Sequence, residues 1–285
     1  MASDNENSLV PKYLQEDDLS QECKELIPIL PLEKGWISTH FHQYQGFWIS
    51  TMFLQATLSC QKHFQALDED TLLVTTPKLD FVPDLKTLSL QRLFSTHIPY
   101  VLLPKSVKDS SCKVVYLCRD PKDIFVSLWH FSNKVRPQSR GTLPLEESFE
   151  KFCRGVSLFG PFWEHVLEYW KESLERPEKV MFLKYEEIKM KPGFYLKKLA
   201  EFLGCPFSKE EESKGVVDDI VNLCSFEKLS NLEVNKTGKV RFGVDNKDFF
   251  HRGQVGDWKN LLTVEMVEQL NTIIDEKLGK HGFRF

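Results

Sequence analysis

Short apolar runs recur along the chain, separated by longer stretches in which apolar and polar residues alternate with a helical period. The runs are TLLVTTP (71–77), CKVVYLCRD (112–120) and KVMFLKYEEI (179–188). Consecutive β-branched and aromatic residues over such a length are typical of strands that are buried on both faces. The pattern therefore predicts buried parallel strands in these segments.

A long helical region is predicted between the second and third of these strands. It begins with PKDIFVSLWHF (121–131), for which Asp120 is a suitable N-cap and Pro121 a suitable first-turn residue. It continues with SFEKFCRGVSLFGPFWEHVLEYWKESL (148–174), in which Gly160 and the proline after it predict a break. Strands that alternate with helices in this way indicate an α/β fold with right-handed crossovers.

Two further helices are predicted toward the C-terminus. They are PGFYLKKLAEFLG (192–204), closed by Gly204, and TVEMVEQLNTIIDEKLG (263–279), closed by Gly279. The segment 231–259 between them is polar, contains several glycines and has lysine and arginine interspersed. This composition predicts a long functional loop.

Composition indicates one sizeable folded unit. The chain has 285 residues, of which 41% are hydrophobic, and this is enough for a substantial core. It contains no internal repeat, low-complexity tract or Gly/Ser-rich linker. Residues 1–30 are predicted to be an acidic, flexible segment. Residues 31–285 are predicted to form a single α/β domain with a central parallel sheet flanked by helices.

Charge and apolar content exclude several classes of partner. The formal net charge is −4, so the chain lacks the general basic field that binds nucleic acid or anionic lipid. No stretch approaches the roughly 18 apolar residues of a membrane span, and the polar, acidic N-terminus argues against a signal sequence. The seven scattered cysteines include no CxxC pair, which favours reduced thiols in the cytoplasm over disulfides or a metal site.

A first candidate site lies in CRDPKDIFVSLWHF (118–131), where Arg119 follows a buried strand and Ser127 lies in the next helix. Open α/β sheets bind ligands at the carboxyl ends of their strands, and arginine offers a fork of donors to phosphate oxygens. Arg119 and Ser127 are therefore candidates for a phosphate site. The alternative is that Arg119 pairs with a carboxylate such as Asp123 and that Ser127 faces solvent.

A second candidate site lies in FFHRGQVGDWKN (249–260). His251 and Arg252 place two potential cations beside Gly253, which lets main-chain N–H groups approach an anion. These residues suit a phosphate. The alternative is a basic surface turn before the next helix.

Two other residues are candidates for chemistry on a substrate. His97 in RLFSTHIP (92–99) lies at the predicted end of a short strand, where a neutral imidazole can accept a proton from a hydroxyl; the alternative is a structural histidine. Lys78 follows the first apolar run and belongs either to an anion site or to the surface. A nucleoside-triphosphate kinase is disfavoured, because the chain has no GxxxxGK[ST] loop.

Several segments, in their order and spacing, resemble the cytosolic sulfotransferase family and most closely its plant branch. They include YQGFW, the Pro-Lys of TTPK, RLFSTHIP, CKVVYLCRDPKDIFVSLWHF, FCRGVSLFGPFWEHVLEYW, VMFLKYEEI, AEFLGCPF and FFHRGQVGDWKN. The resemblance spans nearly the whole chain after about Leu30. It implies a P-loop-transferase-like topology. It also implies transfer of a sulfonate group, without a metal, from 3′-phosphoadenylyl sulfate to a hydroxyl of a small aromatic or hydrophobic acceptor.

The resemblance also implies roles for individual residues. His97 resembles the general base that deprotonates the acceptor, and Lys78 resembles the lysine that neutralises charge on the bridging oxygen of the donor. Arg119 and Ser127 resemble ligands of the 3′-phosphate. Further donor contacts are implied for the 3′-phosphate at His251, Arg252 and Gly253, and for the adenosine at Tyr185, Cys224 and Phe226, whose ring stacks on adenine.

One departure from the family pattern follows Pro77 and Lys78. Relatives continue with Ser-Gly-Thr-Thr-Trp and a helix, whereas this chain continues with LDFVPDLK (79–86). In the family, the missing loop wraps the 5′-phosphosulfate with main-chain N–H groups. We therefore expect a truncated first crossover and impaired activity. The alternative is an inactive relative that acts as a small-molecule or protein binding module.

A homodimer contact is expected in KNLLTVEMVE (259–268), which begins with Lys259 and ends with Glu268. The segment matches the pattern through which many relatives dimerise. The same residues also suit an ordinary helix start with Thr263 as N-cap.

Overall fold

The computed structural model describes residues 19–76, 92–239, 244–250 and 252–285. The strands in these ranges are β1 (Leu32–Lys34), β2 (His40–Tyr44), β3 (Phe47–Ile49), β4 (Thr71–Thr75), β5 (Leu93–Thr96), β6 (Lys113–Cys118) and β7 (Val180–Lys184). Strands β1, β2 and β3 form an antiparallel sheet. The others form a parallel sheet in the order β5-β4-β6-β7. The prediction of a central parallel sheet is confirmed.

Helices form much of the remaining described chain. They are α1 (Gln21–Leu26), α2 (Thr51–His63), α3 (Lys105–Asp109), α4 (Pro121–Val135), α5 (Leu145–Cys153), α6 (Phe162–Glu175), α7 (Tyr185–Met190), α8 (Pro192–Phe202), α9 (Lys209–Ser213), α10 (Val216–Leu223), α11 (Phe226–Asn231), α12 (Glu233–Thr237) and α13 (Val264–Lys277). Short 3-10 helices cover Ile27–Ile29, Tyr100–Leu102, Gln138–Arg140, Asn246–Phe249, Asp257–Asn260 and Gly279–His281. In the described ranges, no helix is both long enough and apolar enough to cross a membrane.

Helix α4 begins as the sequence predicts. The Asp120 side chain accepts a hydrogen bond from the main-chain N–H of Lys122 at 2.8 Å, and Pro121 is the first helical residue. The helix continues past residue 131 to Val135, because the first residue that disfavours helix is Pro137. Ser127 therefore lies in the middle of a helix that starts at the carboxyl end of β6.

The third predicted strand ends earlier than its apolar pattern suggests. Strand β7 ends at Lys184 and α7 begins at Tyr185, whereas the pattern predicts an extended chain to residue 188. Glu186 and Glu187 lie in the first turn of α7, where carboxylates interact favourably with the helix dipole. Tyr185 consequently stands at the carboxyl end of β7.

The helix break predicted near Gly160 is wider than expected and covers residues 154–161. Gly155 has a φ of 81°, and a Cβ atom there would lie 2.7 Å from the Cβ of Pro161. The main-chain N–H of Trp48 in β3 donates to the carbonyl of Gly160 at 2.8 Å. The segment is thus held against the antiparallel sheet rather than continuing as helix.

Two glycines are predicted to close the C-terminal helices, and the structure agrees with this prediction for only one of them. Gly204 follows α8 with a φ of 76°, which agrees with the prediction. Gly279 instead begins a short 3-10 helix, since α13 already ends at Lys277. At its other end, α13 has Thr263 as N-cap, whose side chain accepts from the main-chain N–H of Met266 at 3.3 Å.

The prediction of one long loop over 231–259 is wrong for much of the described part. The segment contains α12 and short 3-10 helices. Asn246 accounts for part of this order, because its side chain donates to the carbonyl of Val234 at 2.9 Å. Its main-chain N–H also donates to the carbonyl of Gly238 at 2.9 Å.

The core lies on both faces of the parallel sheet. The consecutive residues Val114, Val115 and Tyr116 of β6 are all buried, so helices cover the sheet on each side. Strand β4 lies between β5 and β6. The chain therefore crosses from β4 to β5 on one side, and later adds β6 on the other side of β4. Ligands of open α/β sheets bind at the carboxyl ends of strands around such a point.

Candidate functional site

A cavity of about 420 Å³ opens at the carboxyl ends of the parallel strands. This volume lies within the range of roughly 300–1,000 Å³ found for ligand pockets. The predicted site residues that line it are His97, Arg119, Ser127, Tyr185, Phe226, Arg252 and Gly253. Lys78 and His251 lie outside the described residues.

Arg119 is the most completely enclosed cation of the cavity wall. Its side chain is 17% exposed, and its Nη2 donates to the carbonyl of Gln254 at 2.6 Å. The guanidinium also lies 4.8 Å from the centre of the Tyr185 ring. Among the described residues, its buried Nε has no hydrogen-bond partner. Arginine donors that are buried without a partner are suited to an anionic ligand.

Asp123 connects Arg119 to the loop that follows residue 251. The Asp123 carboxylate is buried and lies 3.3 Å from Nη2 of Arg119. It also accepts hydrogen bonds from the main-chain N–H groups of Gly256 at 2.8 Å and Trp258 at 3.1 Å. The sequence suggests Asp123 only as an ordinary partner of Arg119. No local pattern indicates its bonds to Gly256 and Trp258, which lie 133 and 135 residues further along the chain.

Gly253 allows an aromatic ring to approach the main chain. Its φ is 61°, and a Cβ atom at this position would lie 2.4 Å from Cδ2 of Phe226. Its carbonyl accepts a hydrogen bond from the Tyr185 hydroxyl at 3.1 Å. Burial is the main reason why the pKa of Tyr185 is raised, so the hydroxyl keeps its proton and donates. Phe226, Tyr185 and Gly253 thus form one wall of the cavity.

Ser127 and Cys224 have different surroundings. Ser127 lies on α4 one turn after Asp123 and is buried, so it faces the cavity rather than solvent. Cys224 is exposed and follows the last residue of α10, and the structure does not place it among the cavity-lining residues. Its neighbour Ser225 caps α11, and this fixes the chain direction between the two helices.

The remaining wall comes from the segment before and after residue 251. Arg252 is half exposed, and its Nη1 lies 2.8 Å from the carboxylate of Asp257. Phe249 and Phe250 also line the cavity, and the Phe250 ring lies 5.7 Å from that of Phe226 in an edge-to-face arrangement. The sequence does not mark these phenylalanines as site residues, because paired aromatic residues are equally typical of an ordinary core.

His97 lies directly after β5 and has a defined tautomer. Its Nδ1 is 2.7 Å from the main-chain carbonyl of Thr75, the last residue of β4, and 2.9 Å from the Thr75 hydroxyl. A carbonyl oxygen can only accept, so Nδ1 carries the proton in the neutral ring. Nε2 then has a lone pair, which is the state required of a general base.

The described ranges contain no group of three or more His, Cys, Asp or Glu side chains arranged to hold a metal ion. The polar groups of the cavity include arginine, histidine, hydroxyl and main-chain donors. They also include two buried carboxylates, Asp123 and Asp257, each of which pairs with an arginine of the wall. Such a set is chemically suited to bind a phosphorylated ligand.

Comparisons with known proteins agree with this arrangement. The sulfotransferase domain family matches residues 11–282. Cytosolic sulfotransferase 12 of Arabidopsis thaliana is 42% identical, with 98% of each chain covered. The crystal structure of an Arabidopsis thaliana candidate steroid sulphotransferase has a TM-score of 0.73 at 37% identity and covers 97% of this chain and 99% of that chain. Mouse sulfotransferase SULT7A1 complexed with PAP has a TM-score of 0.70 at 27% identity, covering 84% and 94%.

Cytosolic sulfotransferase 12 contains residues that the matched chain lacks. The alignment with cytosolic sulfotransferase 12 extends over 325 positions, whereas the chain has 285 residues, so that relative contains residues without a counterpart here. The match nevertheless covers almost the whole of both proteins and agrees with the motifs and the sheet order. The chain belongs to the sulfotransferase family.

Proposed function

We propose that the protein transfers a sulfonate group from 3′-phosphoadenylyl sulfate to a hydroxyl of a small aromatic or hydrophobic acceptor. The observation that carries the proposal is Arg119, whose buried Nε has no partner among the described residues and whose guanidinium lines the cavity. A 3′-phosphate would supply the missing acceptor. Relatives named as cytosolic sulfotransferases support the reaction class.

The residues of the cavity fit the proposed donor. Arg119 and Ser127, together with His251, Arg252 and Gly253, would bind the 3′-phosphate. Tyr185 and Phe226 would contact the adenosine, with Phe226 against the adenine ring. Cys224 is retained as an adenosine-side contact only through the family resemblance, because it does not line the cavity.

His97 is the proposed base of the reaction. With Nδ1 donating to Thr75, Nε2 can take the proton of the acceptor hydroxyl while the acceptor oxygen bonds to sulfur. The donor, when bound, supplies the sulfonate group, and its bridging oxygen keeps the electron pair of the broken sulfur–oxygen bond. Lys78 is the proposed cation for the charge that develops on that oxygen.

Loss of the loop after Lys78 is the reason to expect impaired transfer. The chain passes from Lys78 directly to LDFVPDLK, and the matched relative carries residues that this chain lacks. Main-chain donors that would hold the 5′-phosphosulfate are then missing. The second candidate function is accordingly an inactive relative that binds a small molecule or a partner chain without transferring sulfonate.

Calorimetric titration with adenosine 3′,5′-bisphosphate tests the proposed donor site. We expect the wild type to bind and Arg119→Ala to lose about 10- to 100-fold in affinity, since hydrogen bonds to a charged group contribute about 1.5–3 kcal/mol. The exposed Arg154→Ala variant is the matched control and is expected to bind like the wild type. Absence of binding by a folded wild type would contradict the proposal.

A transfer assay then separates the two candidate functions. Wild-type protein, labelled 3′-phosphoadenylyl sulfate and a panel of phenolic and aliphatic alcohols should yield a sulfated product that His97→Ala fails to form. Nucleotide binding without any product would instead identify the inactive binding relative.

We also propose a homodimer through residues 259–268 and a cytoplasmic location. Val264 in this segment is 68% exposed, so its side chain is available for a contact with a second copy of the chain. Sedimentation velocity of the wild type and of Val264→Lys tests the contact, and a monomeric wild type would contradict it. The location is supported by the names of the relatives and is tested by cell fractionation.

A further inference from the structure

Helix α6 holds the main chain at the proposed base and directly after it. The imidazole Nε2 of His165 lies 3.0 Å from the carbonyl oxygen of His97. One turn further along α6, the Tyr169 hydroxyl donates to the carbonyl of Ile98 at 2.7 Å. The carboxylate of Glu168 accepts a hydrogen bond from the main-chain N–H of Val101 at 3.1 Å. One face of α6 therefore contacts a continuous stretch that begins at His97.

The direction of the hydrogen bonds around His165 is fixed by the chemistry of its partners. The carbonyl of His97 can only accept, so Nε2 of His165 carries a proton. Its Nδ1 lies 3.0 Å from the hydroxyl of Tyr116, which then donates to it. Burial lowers the pKa of His165 to about 4, and the ring stays neutral with this single tautomer.

The surroundings of His165 leave its ring little freedom. Its side chain is 1% exposed, and the Phe47 ring meets it edge-on with centres 6.3 Å apart. Tyr116 stacks on Tyr169 at 4.4 Å, so the residues that orient His165 and hold Ile98 also pack against each other. Close packing of this kind holds the side chains in one arrangement, and they cannot shift gradually to compensate for a change in one of them.

We propose that His165 is a positioning residue of the sulfonate transfer, which fixes the main chain of His97 so that its Nε2 faces the acceptor. The proposal rests on the proposed function of His97. The His97 ring is held from β4 by Thr75 and its carbonyl is held from α6 by His165. Tyr116 supports this arrangement, because its hydroxyl donates to Nδ1 of His165 and so holds the ring from its other nitrogen.

Two substitutions at position 165 separate positioning from packing. In His165→Gln the amide nitrogen can occupy the place of Nε2 and still donate to the His97 carbonyl. In His165→Asn the shorter side chain reaches only the place of Nδ1, where its oxygen can accept from Tyr116, and the bond to His97 is lost. Both variants remove similar ring packing. Lys171→Gln, on the exposed face of α6, is the control for a substitution in this helix.

The first readout is turnover. We expect kcat of His165→Asn to fall by about 10- to 100-fold, as for a small displacement of a catalytic group. His165→Gln should stay within about threefold of the wild type, and calorimetric affinity for adenosine 3′,5′-bisphosphate should be unchanged in both variants. Equal kcat in the Asn and Gln variants, both folded, would overturn the proposal.

The second readout does not need activity. Nitrogen-15 NMR of labelled histidine reports the tautomer of His97, with His97→Gln identifying its signals. We expect the Nδ1–H form in the wild type and in His165→Gln, and a mixture of tautomers in His165→Asn. An unchanged His97 signal in a folded His165→Asn would overturn the positioning role. If the wild type transfers no sulfonate, the function proposed above fails, and this NMR comparison alone decides the role of His165.

Discussion

The carboxylate of Asp123 accepts a hydrogen bond from the main-chain N–H of Gly256 at 2.8 Å, although 133 residues separate the two in sequence. Asp123 lies in the first turn of α4, and Gly256 lies in the loop that completes the cavity wall. The same carboxylate pairs with Arg119. One buried side chain thus sets the relative position of the two segments that are proposed to bind a 3′-phosphate.

Replacing Asp123 by asparagine should weaken nucleotide binding without removing any proposed ligand group. An amide has one acceptor atom for the two main-chain donors, Gly256 and Trp258, and no charge for Arg119. We expect at least a tenfold lower affinity for adenosine 3′,5′-bisphosphate and about 1–3 kcal/mol lower stability. Calorimetry and thermal unfolding measure both quantities. Asp219→Asn on the exposed face of α10 is the control, and wild-type affinity in Asp123→Asn would contradict the prediction.

Gly253→Ala should lower nucleotide affinity in addition to straining the main chain. Its φ of 61° is unfavourable for alanine, and the new Cβ atom would meet the Phe226 ring at 2.4 Å. Gly141→Ala is a close control, because Gly141 has a φ of 63° and has no atoms within 4 Å of the added Cβ. Each variant should lose about 1–3 kcal/mol of stability, because both positions have a positive φ. Only Gly253→Ala should lose nucleotide affinity, and equal affinity in the two variants would rule out the proposed role of the Phe226 wall.

Two substitutions of Tyr185 should differ in their effect on the same affinity. Tyr185→Phe removes the hydrogen bond to the carbonyl of Gly253 but keeps the ring that lies 4.8 Å from the Arg119 guanidinium. We expect a loss of about 1 kcal/mol, or roughly fivefold in affinity. Tyr185→Leu also removes the cation–π contact and should cost about 1 kcal/mol more. Titration calorimetry at low and moderate salt measures the difference, and identical affinities would show that the ring does not orient Arg119.

Glu168 and His165 should make opposite contributions to the pH dependence of stability. Burial raises the pKa of Glu168 from 4.5 to about 7, so its stabilising contribution is complete below pH 4.5 and is lost as pH rises through 7. Burial lowers the pKa of His165 from 6.5 to about 4, so its contribution is complete above pH 6.5 and is lost as pH falls through 4. Between pH 4.5 and 6.5 the two slopes oppose each other.

Glu168→Gln should therefore expose the contribution of His165. We expect the free energy of unfolding of this variant to rise between pH 4.5 and 6.5 more steeply than that of the wild type. The free energy of unfolding of the variant minus that of the wild type should increase by on the order of 2 kcal/mol from pH 4.5 to pH 8. Urea unfolding at several pH values measures this, and parallel curves for the two proteins would contradict the assignment.

The residues at strand ends could be predicted from sequence because their position follows from local pattern. An apolar run identifies β6, and the polar residue after it, Arg119, must then lie at the edge where parallel strands end. The same reasoning identifies His97 after β5. Tyr185 was found through the family resemblance, and its location depended on α7 starting three residues before the predicted end of the strand.

Residues whose positions depend on long-range contacts could not be predicted in this way. The partners of Asp123 lie far along the chain, and no local pattern indicates that a carboxylate in α4 meets the N–H groups of Gly256 and Trp258. His165 shares its residue type with seven other histidines, and only the packing of α6 against β6 distinguishes it. Cys224 shows the opposite case, since an exposed position at the end of α10 keeps it out of the cavity wall.

The distance in sequence between Asp123 and Gly256 also orders events during synthesis of the chain. Strands β4, β6 and β7 have all been translated once Lys184 has left the ribosome, and the parallel sheet can then form. Gly256 is added 72 residues later than Lys184. A nascent chain can therefore form the parallel sheet before the segment that completes the cavity wall has been made, and a ligand of this cavity can protect the newly made protein only after Gly256 has been added.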